Sequence, residues 1–291
     1  MTSRFAARLW VLAAALLWSS CGLFAKAPLF HDWPDEQRGL TLAFWRALFA
    51  ALFLLPFARQ PRWNKALVPL CVGFASMNAV YLSSIVLTTA ANAIWLQNLC
   101  PFWVFLLSMF FLHHLPDRKE LLPLLLAMIG VGTILAFESR GQAGLGVALG
   151  VASGLAYATV VVSMWWLRQE NAAFLVALCH ALAALTLLPW ILYIGQWPSP
   201  LQLLVLAGFG IWQMGLPYFC FVRGLRGISS QEAVAIGLVE PVLMPVWVFL
   251  AWDERPAPWT VAGAVLILSG LVLRYTVIER WSPGPAAPLD H

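Results

Sequence analysis

The chain has 291 residues, of which 62% are hydrophobic and only 10% charged. A soluble globular domain carries about 25% charged residues, so this composition argues against one and for a polytopic membrane protein. The net charge of +4 is small and scattered, which excludes a nucleic-acid partner, and sixteen tryptophans suit membrane interfaces and apolar cavities.

Apolar runs separated by short polar breaks predict about ten membrane spans, near 6–25, 39–57, 66–87, 91–112, 121–137, 144–166, 172–194, 201–222, 230–251 and 258–276. Each approaches the ~20 residues that a spanning helix needs. The first begins like a signal peptide, with Arg4 and Arg8 before Leu9–Leu17 and an Ala25-Lys26-Ala27 cleavage pattern. Since many similar spans follow, it reads as an uncleaved first helix. Trp18 replaces the small aliphatic residue that a lipoprotein signal would place before Cys21.

In the second span, Arg46 must find a carboxylate, carbonyls or water, because a guanidinium does not neutralise. It could clamp a substrate carboxylate or serve a structural pairing. The third span offers a face with Asn78, Tyr81 and Ile85; the fourth offers Asn92, Trp95, Asn98 and Phe102 at helical spacing. Amides on a membrane helix face inward, either lining a cavity or binding helices together. His113 and His114, beside Asp117, Arg118 and Lys119, read as an interface cluster. Gly146, Gly150, Gly154 and Ala158 form a small-residue ridge that suits close helix packing. His180 stands alone in the seventh span, as a packing residue or a titrating one. Trp212, Gln213 and Tyr218 add a polar and aromatic face in the eighth.

The ninth span carries Glu240 next to Pro241 close to its middle. A charge at that depth costs roughly 2.5–3.5 kcal/mol, and a proline deletes a backbone donor. Glu232, at the start of this span, reads either as a cavity-mouth residue or as half of a capping box with Ser229. The five cysteines each sit alone in apolar runs, without zinc-site spacing, and read as small hydrophobes; neither metal nor cofactor is expected.

Basic residues set the expected orientation. Alternate segments from the N-terminus hold Arg4, Arg8, Arg59, Arg62, Lys65, Arg118, Lys119, Arg168, Arg223, Arg226, Arg274 and Arg280; the others hold only Lys26, Arg38, Arg140 and Arg255. Both termini are therefore expected in the cytoplasm. The halves also resemble each other. At an offset of 140, Ala93, Pro101, Pro116, Leu126 and Gly130 fall on Ala233, Pro241, Pro256, Leu266 and Gly270, with Cys100 opposite Glu240. An offset of 135 places Gly73-Phe74 on Gly208-Phe209 and Asn78 on Gln213. Five spans per copy is an odd number, so the second copy is expected to be inverted, an arrangement that suits alternating access around a midplane site.

The chain resembles the EamA-type branch of the drug/metabolite transporter superfamily. The matching residues are Leu17-Trp18-Ser19, Phe44-Trp45-Arg46-Ala47-Leu48, Leu99-Cys100-Pro101, Val239-Glu240-Pro241, Asp253-Glu254-Arg255-Pro256 and Gly263 to Gly270. The resemblance implies an all-α membrane protein of ten helices, as two inverted five-helix repeats around a central cavity. Repeats over 1–140 and 141–276, with a cytoplasmic tail at 277–291, follow from it. It also implies a bacterial inner-membrane exporter of amino acids, related metabolites or drugs.

From the residues themselves, the expected binding surface is Asn78, Tyr81, Asn92, Trp95, Asn98, Trp212, Gln213 and Tyr218, for a small zwitterion or planar amphipathic molecule. Glu240, Arg46, Pro101 and Pro241 are the candidates for proton coupling or architecture. An intramembrane enzyme would need a paired nucleophile and base or a metal constellation, and the spans hold none. A receptor would usually bring an attached soluble domain.

Overall fold

The structure, a computed structural model, describes residues 4–58, 62–112, 118–138, 142–167, 169–228 and 230–274. All regular structure among them is helical: α1 (Arg4–Trp18), α2 (Cys21–Ala25), α3 (Asp35–Leu54), α4 (Leu67–Leu87), α5 (Ala90–Gln97), α6 (Cys100–Leu112), α7 (Arg118–Glu138), α8 (Gln142–Trp166), α9 (Ala172–Ile194), α10 (Pro200–Gly210), α11 (Leu216–Leu225), α12 (Ser230–Gly237), α13 (Val239–Trp252) and α14 (Pro258–Val272). A π-helical turn, Ile211–Gly215, joins α10 to α11. Singly or end to end, these helices form eight stretches long and apolar enough to cross a membrane. All eight match expected spans to within a few residues. The fourth expected span is instead two pieces, α5 and α6, and the tenth is α14, which is apolar but has only 15 residues.

The breaks have local causes. Pro101 cannot donate to the carbonyl of Gln97, nor Pro241 to that of Gly237, so each helix stops there, and the next one, starting at Cys100 or Val239, holds the proline in its first turn. Between α1 and α2 the hydroxyls of Ser19 and Ser20 donate to the carbonyls of Leu16 and Leu17, at 2.7 and 2.6 Å, competing with the backbone ladder. In the π turn the Leu216 amide reaches back five residues to the Ile211 carbonyl. Pro217 follows and cannot serve the carbonyl of Gln213.

Packing follows the small residues. The expected glycine ridge lies on α8, which packs on α4 and α5. There a Cβ on Gly146 would meet Leu87 backbone at 2.7 Å, and Ser84 donates to the Gly146 carbonyl at 2.7 Å. Between the halves α11 packs on α1, and α3 packs on both α9 and α10. Helices α7 and α14 pair closely: Gly130 faces the carbonyl of Gly263, and Gly270 that of Pro123. A Cβ at Gly263 would sit 2.6 Å from the Gly130 oxygen and 2.7 Å from Ile134. Gly263→Val is therefore expected to cost about 1–3 kcal/mol through overpacking, read as a lower midpoint of thermal unfolding in detergent; an unchanged midpoint would mean that the two helices do not pack this closely. Leu52, Leu125, Leu192 and Leu250 are exposed on the outside, as a lipid-facing surface requires.

Candidate functional site

The polar centre of the bundle is built around Arg46 on α3, which is fully buried. Nε donates to Asn78 Oδ1 at 3.2 Å, and Nη2 donates to the same oxygen. Nη1 donates to Gln213 Oε1 at 3.3 Å and to Cys21 Sγ at 3.4 Å. The guanidinium carbon also lies 5.3 Å from the ring centroid of Phe209. The amides are themselves tied down: Asn78 Nδ2 donates to the Ala43 carbonyl at 3.0 Å, and Gln213 Nε2 to the Trp18 carbonyl at 3.3 Å. Asn78 and Gln213, related by the 135-residue offset, thus meet on one guanidinium from α4 and the π turn. That meeting settles what Arg46 touches: amides and a thiol, and among the described residues no carboxylate within ion-pair distance.

Glu240 stands at the start of α13, next to the Pro241 break. It lies close enough to Arg46, Cys21 and Tyr81 to couple to them electrostatically. It is half-buried, and among the described residues its carboxylate accepts no hydrogen bond and forms no ion pair. Tyr81 is buried beside it on α4, and its hydroxyl donates to Met244 Sδ at 3.4 Å, one turn along α13 from Glu240. Trp247, on the same helix, donates to Ser19 Oγ at 2.9 Å. The result, among the described residues, is a carboxylate without a hydrogen bond near a guanidinium that uses four of its five N–H donors.

The remaining expected residues are placed elsewhere. Asn92 is fully buried between helices: its Nδ2 donates to Thr88 Oγ1 at 3.0 Å and its Oδ1 accepts from Thr260 Oγ1 at 2.8 Å. These bonds tie α5 to α14, the interhelical alternative that the sequence also allowed for this face. Asn98 turns back onto its own helix, donating to the Ile94 carbonyl at 2.9 Å beside half-buried Pro101. Trp95 is buried on α5, which packs on α8 and α13. Trp212 is 51% exposed and borders an outer cavity of about 450 Å³ with Trp252 and Phe24. Tyr218 borders another, of about 510 Å³, near Arg223 and Arg226. His180 is buried edge-on to Phe74, with centroids 4.7 Å apart. All five cysteines are free thiols.

Glu232 does something the sequence reading did not anticipate: it accepts from Arg8 at 2.5 Å and Arg4 at 3.1 Å, binding α12 to α1. The capping partner Ser229 lies outside the described residues, as do His113, His114 and Asp117. At the opposite end of α1 and α2 is a second set that the sequence reading missed. Lys26 Nζ contacts Glu254 Oε2 at 2.8 Å and donates to the Thr88 carbonyl at 2.6 Å, while Glu254 Oε1 accepts from the Ala90 amide at 2.7 Å. This carboxylate sits on the N-terminus of α5, where the helix dipole favours a negative charge. A lone lysine and a loop glutamate more than 200 positions apart give no spacing signal.

The profile of the EamA-like transporter family matches the chain twice, over residues 6–136 and 144–276. An uncharacterized transporter of Archaeoglobus fulgidus is 26% identical over 240 residues, which are 81% of this chain and 86% of that protein. A solved crystal structure shares the fold with a TM-score of 0.66, over 96% of this chain and all of that one, at 20% identity. With both halves matched, the chain belongs to the EamA-like transporter family, and is a transporter of the EamA-type branch of the drug/metabolite superfamily.

Proposed function

We propose that the protein is a secondary transporter that exports amino acids or related small metabolites across the bacterial inner membrane. It works by alternating access between two inverted five-helix repeats, 1–140 and 141–276, with both termini and the tail at 277–291 in the cytoplasm. The observation that carries this reading is Glu240: a half-buried carboxylate inside a span, next to a helix break, that accepts no hydrogen bond and forms no ion pair among the described residues. Every nitrogen of Arg46 already donates, to Asn78, Gln213 or Cys21, through four of its five N–H groups. The group left for a substrate is therefore anionic, and it selects an amine, or a proton in its absence. The same observation favours a second reading, export of cationic compounds.

The packing supports inversion. Exchanging the halves at an offset of 140 turns the Gly270–Pro123 approach into the Gly130–Gly263 approach, which is also present. The pairing of α4 with α8 is likewise answered by that of α11 with α1, and α4 with α9 by α10 with α3. In this arrangement the Lys26–Glu254–Ala90 lock closes the outer end. Lys26→Met is expected to raise hydrogen exchange at the amides of Ala90 to Asn92 about tenfold by freeing the α5 N-terminus. Arg4→Gln, on a largely exposed pair, should leave those amides unchanged; equal exchange in wild type and Lys26→Met would remove the lock.

The function itself is tested with purified protein in liposomes. Amino acids, nucleosides and cationic drugs are screened by thermal shift, and each hit is then assayed for counterflow. A stabilising amine-bearing solute that exchanges supports the reading; hits confined to anions, or no flux for any hit, would overturn it.

A further inference from the structure

The cavity of about 510 Å³ bordered by Tyr218 is chemically unlike the polar centre. Its rim carries Arg223, in the last turn of α11, and Arg226, the residue that caps that helix, both exposed and neither in an ion pair among the described residues. Its floor is apolar: Phe57 and Phe219 meet at 4.8 Å between centroids. The third wall is the start of α9, where Asn171 caps the Phe174 amide at 2.9 Å and Ala172 and Ala173 line the cavity. The first turn of a helix adds partial positive charge there.

Two observations place this rim at headgroup level. Arg223 lies 5.0 Å from the ring centroid of Trp10, an indole on α1 only two residues from Arg8. Gly224 packs against Ala7 and Val11, so the end of α11 lies beside the basic start of α1. A solvated pair of arginines would need no cavity, and a soluble anion would need no aromatic floor. A basic rim above an apolar floor matches a molecule with an anionic head and a hydrocarbon chain.

We propose that this cavity binds an anionic phospholipid of the cytoplasmic leaflet. Arg223 and Arg226 hold its phosphodiester, with the α9 N-terminus behind them, and one acyl chain lies along Phe57 and Phe219. The leaflet rests on the orientation proposed above.

The test uses the full-length protein in detergent, with native mass spectrometry and thermal unfolding as readouts. The probes are dioleoyl-phosphatidylglycerol, dioleoyl-phosphatidylcholine and inorganic phosphate. Phosphatidylglycerol is expected to remain bound about tenfold more than phosphatidylcholine, and only it should raise the unfolding midpoint. Arg223→Gln with Arg226→Gln should erase the preference, whereas Lys at both positions should keep most of it. Arg62→Gln with Lys65→Gln removes the same charge elsewhere and should change nothing. Equal binding of the two lipids, or a preference that survives Arg223→Gln with Arg226→Gln, overturns the site. Displacement of phosphatidylglycerol by inorganic phosphate would overturn the lipid as occupant. Orientation is read separately, by labelling Arg226→Cys with an impermeant maleimide against the parent protein as background. Labelling from the outer side alone overturns the leaflet and the proposed topology, while unequal lipid binding would persist.

Discussion

Glu240→Gln is expected to lower solute accumulation driven by a pH gradient at least about tenfold, with no loss of thermal stability. The two halves of this expectation rest on different physics. Glutamine keeps the shape and hydrogen-bonding reach of the side chain but cannot take up or release a proton. Folding should tolerate the change because the carboxylate makes no hydrogen bond or ion pair among the described residues that glutamine would break. A charge at membrane depth costs roughly 2.5–3.5 kcal/mol, so its removal leaves the unfolding midpoint unchanged or raises it. Proteoliposomes with an imposed pH gradient give the first measurement, and thermal unfolding in detergent the second. Unchanged gradient-driven accumulation would remove Glu240 from coupling. A collapse in stability would instead show the side chain to be a packing element. Pro241→Ala is the informative contrast, since it restores a donor to the Gly237 carbonyl and should straighten the break while leaving the carboxylate in place.

The sequence made the helices legible because apolar length alone carries that signal, and eight described stretches fall where it placed them. For the fourth span it offered Pro101 as a kink or hinge, but not the division into two helices. Hydropathy does not register a missing donor, and averaged over Ala90 to Leu112 the run stays apolar despite Gln97 and Asn98 at the gap. The pairing of Asn78 with Gln213 was readable from the repeat offset, yet their shared partner was not. Arg46 is 32 positions from one and 167 from the other, a proximity that only the packing of α3 on α4 and α10 creates. Asn92 shows a related limit. An amide facing inward is equally compatible with a cavity and with a neighbour, and the neighbour here is Thr260, 168 positions away. The lock at Lys26 was the least legible, because half of it is backbone: the Thr88 carbonyl and the Ala90 amide carry no side-chain signature.

The second large effect is expected from stripping Arg46 of its partners rather than from removing it. Asn78→Leu takes away the oxygen that accepts both Nε and Nη2, and leaves a fully buried guanidinium with only Gln213 and Cys21. Breaking up a buried charge assembly from one side costs about 3–5 kcal/mol, since the charge stays behind without compensation. Arg46→Met removes that charge and fills similar volume, so the residual cost is that of two amides left short of donors, about 1–3 kcal/mol. The combination Arg46→Met, Asn78→Leu and Gln213→Leu removes the whole assembly and should recover most of the loss, because an apolar replacement of a buried polar set is often neutral. The double-mutant cycle between positions 46 and 78 is therefore expected to show strong coupling, with the double variant more stable than Asn78→Leu alone. Thermal unfolding of the four proteins in one detergent measures it; additive losses would mean that Arg46 draws its compensation from elsewhere. Transport then separates the roles. A triple variant as stable as the parent but inactive in counterflow would show that the guanidinium, gripped by one amide from each half, is needed for the movement between the halves and not merely for holding them together.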